Sequence, residues 1–151
     1  MENARIVIQG FGAVGQHAAR FLAAQKAVLV GVADSRGAVY GAAGLELEEL
    51  CRLKEAGKSV TSYPQGEKLT REAVVECACD ILIPAARPDV INADNMQRVK
   101  ARLIVEGANI PLTDEAESYL HAQGVLCIPD FIANAGGVIC TDWGHPRVAS
   151  D

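Results

Sequence analysis

The chain has no apolar run approaching the roughly 20 residues that cross a bilayer. Met1-Glu2-Asn3 leads almost directly into a hydrophobic segment, without a signal-peptide pattern. A cytoplasmic protein with no membrane partner is therefore expected. Basic residues form no long run. Arg98, Lys100 and Arg102 only alternate, as in a solvated lead-in to a strand, and the net charge is −5, so nucleic acid is not an expected partner. Cysteine occurs five times, at Cys51, Cys77, Cys79, Cys127 and Cys140, but no Cys-x-x-Cys pair is present. Cys77-Ala78-Cys79 is too tight for an ordinary intrachain bridge or a zinc knuckle. These residues read as small buried thiols of a reducing compartment. His17, His121 and His145 lie far apart and form no ligand motif, so no metal is expected. No internal repeat or low-complexity linker interrupts the 151 residues. That length suits one domain, large enough to bury about 68–70% of its unfolded surface without staples.

What the chain does have is glycine in a telling place. Arg5-Ile6-Val7-Ile8-Gln9 ends in Gly10-Phe11-Gly12-Ala13-Val14-Gly15, and Val14, Ala18, Phe21 and Leu22 then recur at helical spacing. The order is strand, tight turn, helix. Gly10 allows a sharp turn, Gly12 lets backbone approach a pyrophosphate, and Gly15 lets the helix lie close on the sheet. The amides of the new helix face the phosphates, with the dipole favouring negative charge. Ala27 to Ala33 is a near-continuous apolar run closed by Asp34, at the distance where a dinucleotide fold places an acid on the adenosine ribose. Ser35 and Arg36 follow and could instead hold a 2′-phosphate. NAD is the expected cofactor, with NADP open.

Ala38 to Gly44 is small and turn-rich. Leu45 to Ala56 reads as a helix with Glu46, Glu48 and Glu49 near its start and Gly57 as its stop. Ser59 to Lys68 is a polar connection whose apolar content, Val60 and Tyr63, leaves room only for a short strand. Thr70 is placed to cap a short helix through Cys77. Asp80 to Pro84 is a buried strand followed by the small pair Ala85-Ala86, and Pro88 to Asn95 suits a turn or short helix. Leu103 to Val105 is the next strand. Thr113 caps a helix rich in early acids and ended by Gly124, and Val125 to Ile128 is the last strand. Gly136-Gly137 mark a backbone that bends or comes close to something. Residues 141–151 show no clear periodicity.

The polar and glycine-rich features recur after strands, and in an open parallel sheet those ends share one ligand-binding edge. Alternating strand and helix signals predict a Rossmann-like, doubly wound α/β domain, its sheet mostly parallel with helices on both faces.

Five stretches carry a family resemblance: 9–15, 32–37, Ile81-Leu82-Ile83-Pro84-Ala85-Ala86, Glu106-Gly107-Ala108-Asn109-Ile110-Pro111-Leu112-Thr113, and 129–138. In this order the chain resembles the cofactor-binding domain of the glutamate/leucine/phenylalanine/valine dehydrogenases, the glutamate branch above all. The resemblance covers nearly all of residues 5–140. It implies NAD(P)-dependent oxidative deamination of glutamate to 2-oxoglutarate and ammonia. It implies a cofactor site of Gly10, Phe11, Gly12, Ala13, Val14 and Gly15 on the pyrophosphate, with Asp34 and Ser35 at the adenosine ribose. Ala85 and Ala86 would lie by the nicotinamide half, Asn109 at its ribose and Asn134 near the carboxamide. It assigns no catalytic residue here, because the family places its substrate lysines and aspartate in a separate N-terminal domain that nothing before Arg5 can supply. Arg87-Pro88-Asp89 departs from the usual leucine-glutamate-asparagine. The expectation is a cofactor half that binds dinucleotide, needs the other domain for amino acid and turnover, and can belong to an oligomer. Two alternatives stay open at this point. One is a stand-alone nucleotide-sensing or partner-completing module. The other is a methyltransferase, disfavoured by Gln9 where those loops usually carry an acid.

Overall fold

The computed structural model describes residues 2–133. Arg5–Gln9 forms β1, Ala13–Ala24 α1, Val28–Asp34 β2, Gly37–Tyr40 β3, Leu47–Glu55 α2 and Glu67–Leu69 β4. Ile81–Pro84 forms β5, Leu103–Val105 β6, Asp114–Ala122 α3, Leu126–Ile128 β7 and Asp130–Ala133 α4. The strands make one seven-stranded mixed sheet in the order β4-β3-β2-β1-β5-β6-β7. Strands β2, β1, β5, β6 and β7 run parallel. At one edge β3 runs antiparallel to β2, and β4 antiparallel to β3.

The apolar runs become parallel strands because both of their faces are covered. Ile6 and Ile8 of β1 point into one core with Ala19 and Leu22 of α1 and Leu50 and Cys51 of α2. Val7, between them, points into the other with Leu82, Ile104 and Ala116 and Leu120 of α3. The period-two alternation of a strand thus divides one hydrophobic run between two layers.

Several expectations are altered in detail. Residues 38–44 do not all form turns: Ala38 and Val39 are fully buried in β3, behind a two-residue hairpin loop at Ser35-Arg36. The strand is only four residues long, and Gly37 and Ala38 open it, so its signal in the sequence is weak. Val60 and Tyr63 do not form the third strand. They plug the first core from a 3₁₀ turn, and the short strand lies further on at β4. Helix α1 turns Gly15, Ala19 and Leu22 inward, while Val14 and Phe21 remain 52% and 66% exposed. The cause is Gly15: a Cβ there would lie 2.0 Å from the Gly10 carbonyl oxygen, so the helix seats with this residue against the turn. Thr70 does accept from the Ala73 amide (3.3 Å), but only a 3₁₀ turn, Ala73–Glu76, follows. Thr113 accepts from Ala116 at the start of α3.

Cys51 and Cys79 are buried, Cys77 and Cys127 half-buried, and all four are free thiols. Burial first, and then the neighbouring Cys77, pushes the Cys79 thiol up to about 12. Cys140 lies outside the described residues. Among the described residues, no helix is long and apolar enough to cross a membrane, and no group of His, Cys, Asp and Glu is placed to hold a metal ion.

Candidate functional site

From β1 the chain moves through β2 to β3 and β4 on one side, then returns to β5 on the other. The strand order therefore reverses between β1 and β5, which is where an open α/β sheet leaves a crevice at its carboxyl edge. An open cleft of about 620 Å³ lies there, lined by Gly10, Phe11, Gly12, Asp34, Ser35, Ala85 and Ala86 among others.

The glycine loop forms its floor. The amides of Gly10 and Phe11 both donate to the Ala33 carbonyl (3.0 and 2.7 Å), tying the loop to the end of β2. Gly10 has φ +113°, and a Cβ on it would sit 2.8 Å from the backbone carbon of Ala85. This left-handed conformation and close approach leave glycine as the residue that fits. The Phe11 side chain is buried, so the residue offers the cleft its backbone. A Cβ on Gly12 would meet nothing within 4 Å. Gly12 is also the N-cap of α1, where no side chain caps the helix and no acid stands in the first turn. Helices α2 and α3 are built otherwise. Glu48 and Glu49 open the first, and Thr113, Asp114, Glu115 and Glu117 open the second. The partial positive charge at the start of α1 has no compensating acid of its own.

At the far end of the cleft Asp34 closes β2 with its side chain only 5% exposed. Its Oδ1 accepts from the Arg36 amide (2.9 Å) and the Ser59 hydroxyl (2.9 Å). Its Oδ2 accepts from Lys54 Nζ (2.9 Å) and the Val60 amide (3.0 Å). Burial alone would raise this carboxyl. The Lys54 ammonium, the two amides and the Ser59 hydroxyl outweigh burial and hold it down to about 2.

The expected residues are only partly brought together. Gly10, Phe11, Gly12, Asp34, Ser35, Ala85 and Ala86 line the cleft. Ala13 and Val14 are exposed on the first turn of α1 outside that lining, and Gly15 is buried beneath it. Asn109 is exposed on the loop after β6. Asn134 and residues 141–151 lie outside the described residues.

Sequence reasoning missed Lys54, Gln16, Arg71 and Arg87, which also line the cleft. For Lys54 a signal existed. It stands four residues after Leu50 and three after Cys51, on the buried face of α2, where a cation needs an acid partner.

Two neighbouring loops are braced together. The Ile110 amide donates to Asp130 Oδ2 (3.0 Å), and the Asp130 amide donates to Glu106 Oε2 (3.2 Å). The Asp89 amide donates to the Ile110 carbonyl (3.1 Å), and both residues have positive φ, +52° and +46°. Burial, with the nearby Glu117 and Asp130 carboxylates, raises the Glu106 carboxyl against the opposing Asp130 amide.

A mixed α/β sheet with a glycine-floored cleft at its strand-order reversal defines the class as an α/β dehydrogenase fold. A sequence model of the Glutamate/Leucine/Phenylalanine/Valine dehydrogenase family matches residues 1–143, and the chain belongs to that family. It is 45% identical over 149 residues to an NADP-specific glutamate dehydrogenase of Saccharolobus shibatae, covering 97% of this chain and 35% of the relative. It is 39% identical over 138 residues to a catabolic NAD-specific glutamate dehydrogenase of Bacillus subtilis, covering 91% and 32%. The hetero-hexameric glutamate dehydrogenase of Thermus thermophilus, solved with Leu bound, superimposes with a TM-score of 0.83 at 35% identity. That match covers 91% of this chain and 32% of the other. The chain thus spans about a third of the length of these relatives.

Proposed function

We propose that the chain is the NAD(P)-binding, Rossmann-type part of a glutamate dehydrogenase-like enzyme, residues 1–151 serving as one cofactor domain. The observation that carries this is the start of α1. Bare amides behind an open Gly12, without a capping side chain or an acid, face a cleft at the strand-order reversal. A pyrophosphate supplies the missing negative charge and accepts from those amides. Asp34 and Ser35 then stand at the adenosine ribose, Ala85 and Ala86 beside the nicotinamide half, and Asn109 and Asn134 at its outer contacts. Ala13, Val14 and Gly15 contribute through the backbone of the loop and helix start. When bound, the dinucleotide supplies hydride acceptance and return. This chain's residues bind and orient it.

The names of the relatives support glutamate as the substrate of the whole enzyme and either NAD or NADP as cofactor. The hexameric relative supports assembly into an oligomer. The chain alone binds cofactor without turning over amino acid. Among the charged residues lining its cleft, Lys54 and Asp34 pair with each other, Arg71 and Arg87 pair with Glu72, and Glu55 stands exposed at the end of α2. Calorimetric titration with NADH and NADPH tests the reading. Saturable one-site binding of either is expected, and no binding of either at millimolar concentration overturns it.

A further inference from the structure

Gln9 is a polar side chain buried without a partner. It follows Val7, two residues back, onto the face of β1 away from α1. The residue is 3% exposed, and its Oε1 is the one buried side-chain polar atom among the described residues that meets no hydrogen-bond donor. A buried acceptor left so bears the whole cost of its desolvation. Native structures meet such groups with ordered water or an ion.

Gln9 lines a small pocket of about 110 Å³, together with Glu72, Arg87, Asp89, Asn92 and Asn95 among others. That is room for about three bodies the size of water. The neighbouring side-chain donors are engaged elsewhere. Asn95 Nδ2 donates to the Val90 carbonyl (2.8 Å), and Asn92 Nδ2 donates to the Asp89 carbonyl (3.0 Å). Arg87 pairs with Glu72 Oε1, which Arg71 also holds. Glu72 is thereby neutralised. The Asp89 carboxylate enters no ion pair among the described residues. The pocket thus offers an unpaired amide oxygen and an uncompensated carboxylate, and a positively charged occupant answers both. No three His, Cys, Asp or Glu side chains gather to hold a metal ion among the described residues, so the ligand set that calcium or magnesium demands is missing. An amide oxygen, one carboxylate and water suit a singly charged ion about the size of water, as carbonyl oxygens suit potassium.

We propose that this pocket binds a large monovalent cation, potassium or ammonium, with Gln9 Oε1 and the Asp89 carboxylate among its oxygen ligands. Gln9 and Arg87 line both this pocket and the cleft, and the Gln9 carbonyl accepts from the Ala85 amide (2.7 Å). The ion therefore braces the end of β1 against the loop that leaves β5, behind the glycine turn. The proposal does not rest on the dinucleotide reading of the cleft, which survives its failure.

Thermal melting of the full chain at fixed ionic strength, with choline chloride replaced stepwise by potassium, ammonium or sodium chloride, reads occupancy. Potassium or ammonium is expected to raise the midpoint saturably, by about 3–6 °C at about tenfold its dissociation constant, and sodium by less. A response to one of the two names the occupant, and a response to both assigns the class. Gln9→Met keeps the length of the side chain without the oxygen. It and Asp89→Asn should each remove most of the response. Crystals soaked in thallium(I) should show an anomalous peak beside Gln9 Oε1. If Q9M does not fold, D89N and that peak decide the matter. Equal midpoints in potassium, ammonium and choline would overturn the proposal, as would a response that survives the substitutions. Water in place of the anomalous peak would give the pocket to ordered solvent and overturn it as well.

Discussion

Gly12 and Gly15 stand three residues apart and meet opposite surroundings. A Cβ on Gly15 would lie 2.0 Å from the Gly10 carbonyl oxygen, an atom of a backbone tied to β2. Gly15→Ala must lift α1 off the turn. Its expected cost is about 1–3 kcal/mol of overpacking, only partly offset by the roughly 1 kcal/mol that Ala gains over Gly in a helix. A Cβ on Gly12 meets nothing. Gly12→Ala should cost less stability than Gly15→Ala, about 1 kcal/mol or less for the N-cap, yet on the proposed reading bind dinucleotide on the order of tenfold more weakly, because its methyl would stand where a phosphate approaches. Urea denaturation and calorimetry on the two variants separate the effects. An equal loss of stability in both would contradict the geometry. Asp34 gives a pH window at the same scale. Its carboxyl, 3.8 in its ordinary state and about 2 here, binds protons more readily when unfolded. Its contribution is fully present above about 4 and is lost as pH falls from about 4 through about 2. The amount is on the order of 2 kcal/mol. Asp34→Asn should flatten that part of the stability profile, and an unchanged acid limb would remove Asp34 as its source.

At the scale of elements, the loops after β5 and β6 are held in a costly shape. Ile110 is β-branched, 63% exposed and at φ +46°. Such a conformation costs about 1–3 kcal/mol, and the brace from Asp130 and Asp89 holds it. Ile110→Gly should raise stability by roughly 1 kcal/mol, after the entropy that glycine adds to the unfolded chain. A lower urea midpoint would mean that the side chain has a packing role. Beneath this loop Glu106 is buried, its carboxyl raised. A raised acid weakens the fold as pH climbs through the range in which the unfolded chain has already ionised. Glu106→Gln keeps an oxygen to accept from Asp130 and should be more stable than the parent at neutral pH. The gain should disappear in acid, where the parent's own Glu106 is protonated. A gain of the same size at both pH values would point to packing instead.

These loops also mark how far the sequence could be read. The parallel strands, α2, α3 and the glycine turn were legible because buried runs, periodicity and capping residues are local signals. The face of α1 was not, because a single backbone contact at Gly15 overrode the positions of Val14 and Phe21. Strand β3 was hidden by its shortness, four residues opened by Gly37 and Ala38. Asp34 was legible as a residue of the cleft, but its four donors come from Arg36, Lys54, Ser59 and Val60, up to 26 residues along the chain. Only the folded chain shows that its lone pairs are full.

At the scale of the whole molecule, binding and turnover should come apart. The chain spans about a third of its glutamate dehydrogenase relatives. The described cleft is open, and the one lysine in its lining, Lys54, is paired with Asp34. Hydride transfer needs the substrate carbon held within near-attack distance of the nicotinamide, a requirement met by both walls of a cleft and not by one. On the proposed reading, dinucleotide affinity draws mainly on the glycine loop, the start of α1 and the end of β2, which lie among the described residues. The expected result is that the chain binds reduced dinucleotide saturably, while glutamate with oxidised dinucleotide produces no reduced nicotinamide absorbance. Gly12→Ala should weaken the first signal on the order of tenfold and leave the second at zero. Measurable glutamate-dependent reduction by the purified chain, lost in Gly12→Ala, would show that this wall carries chemistry of its own and would send the search for a base to Lys54.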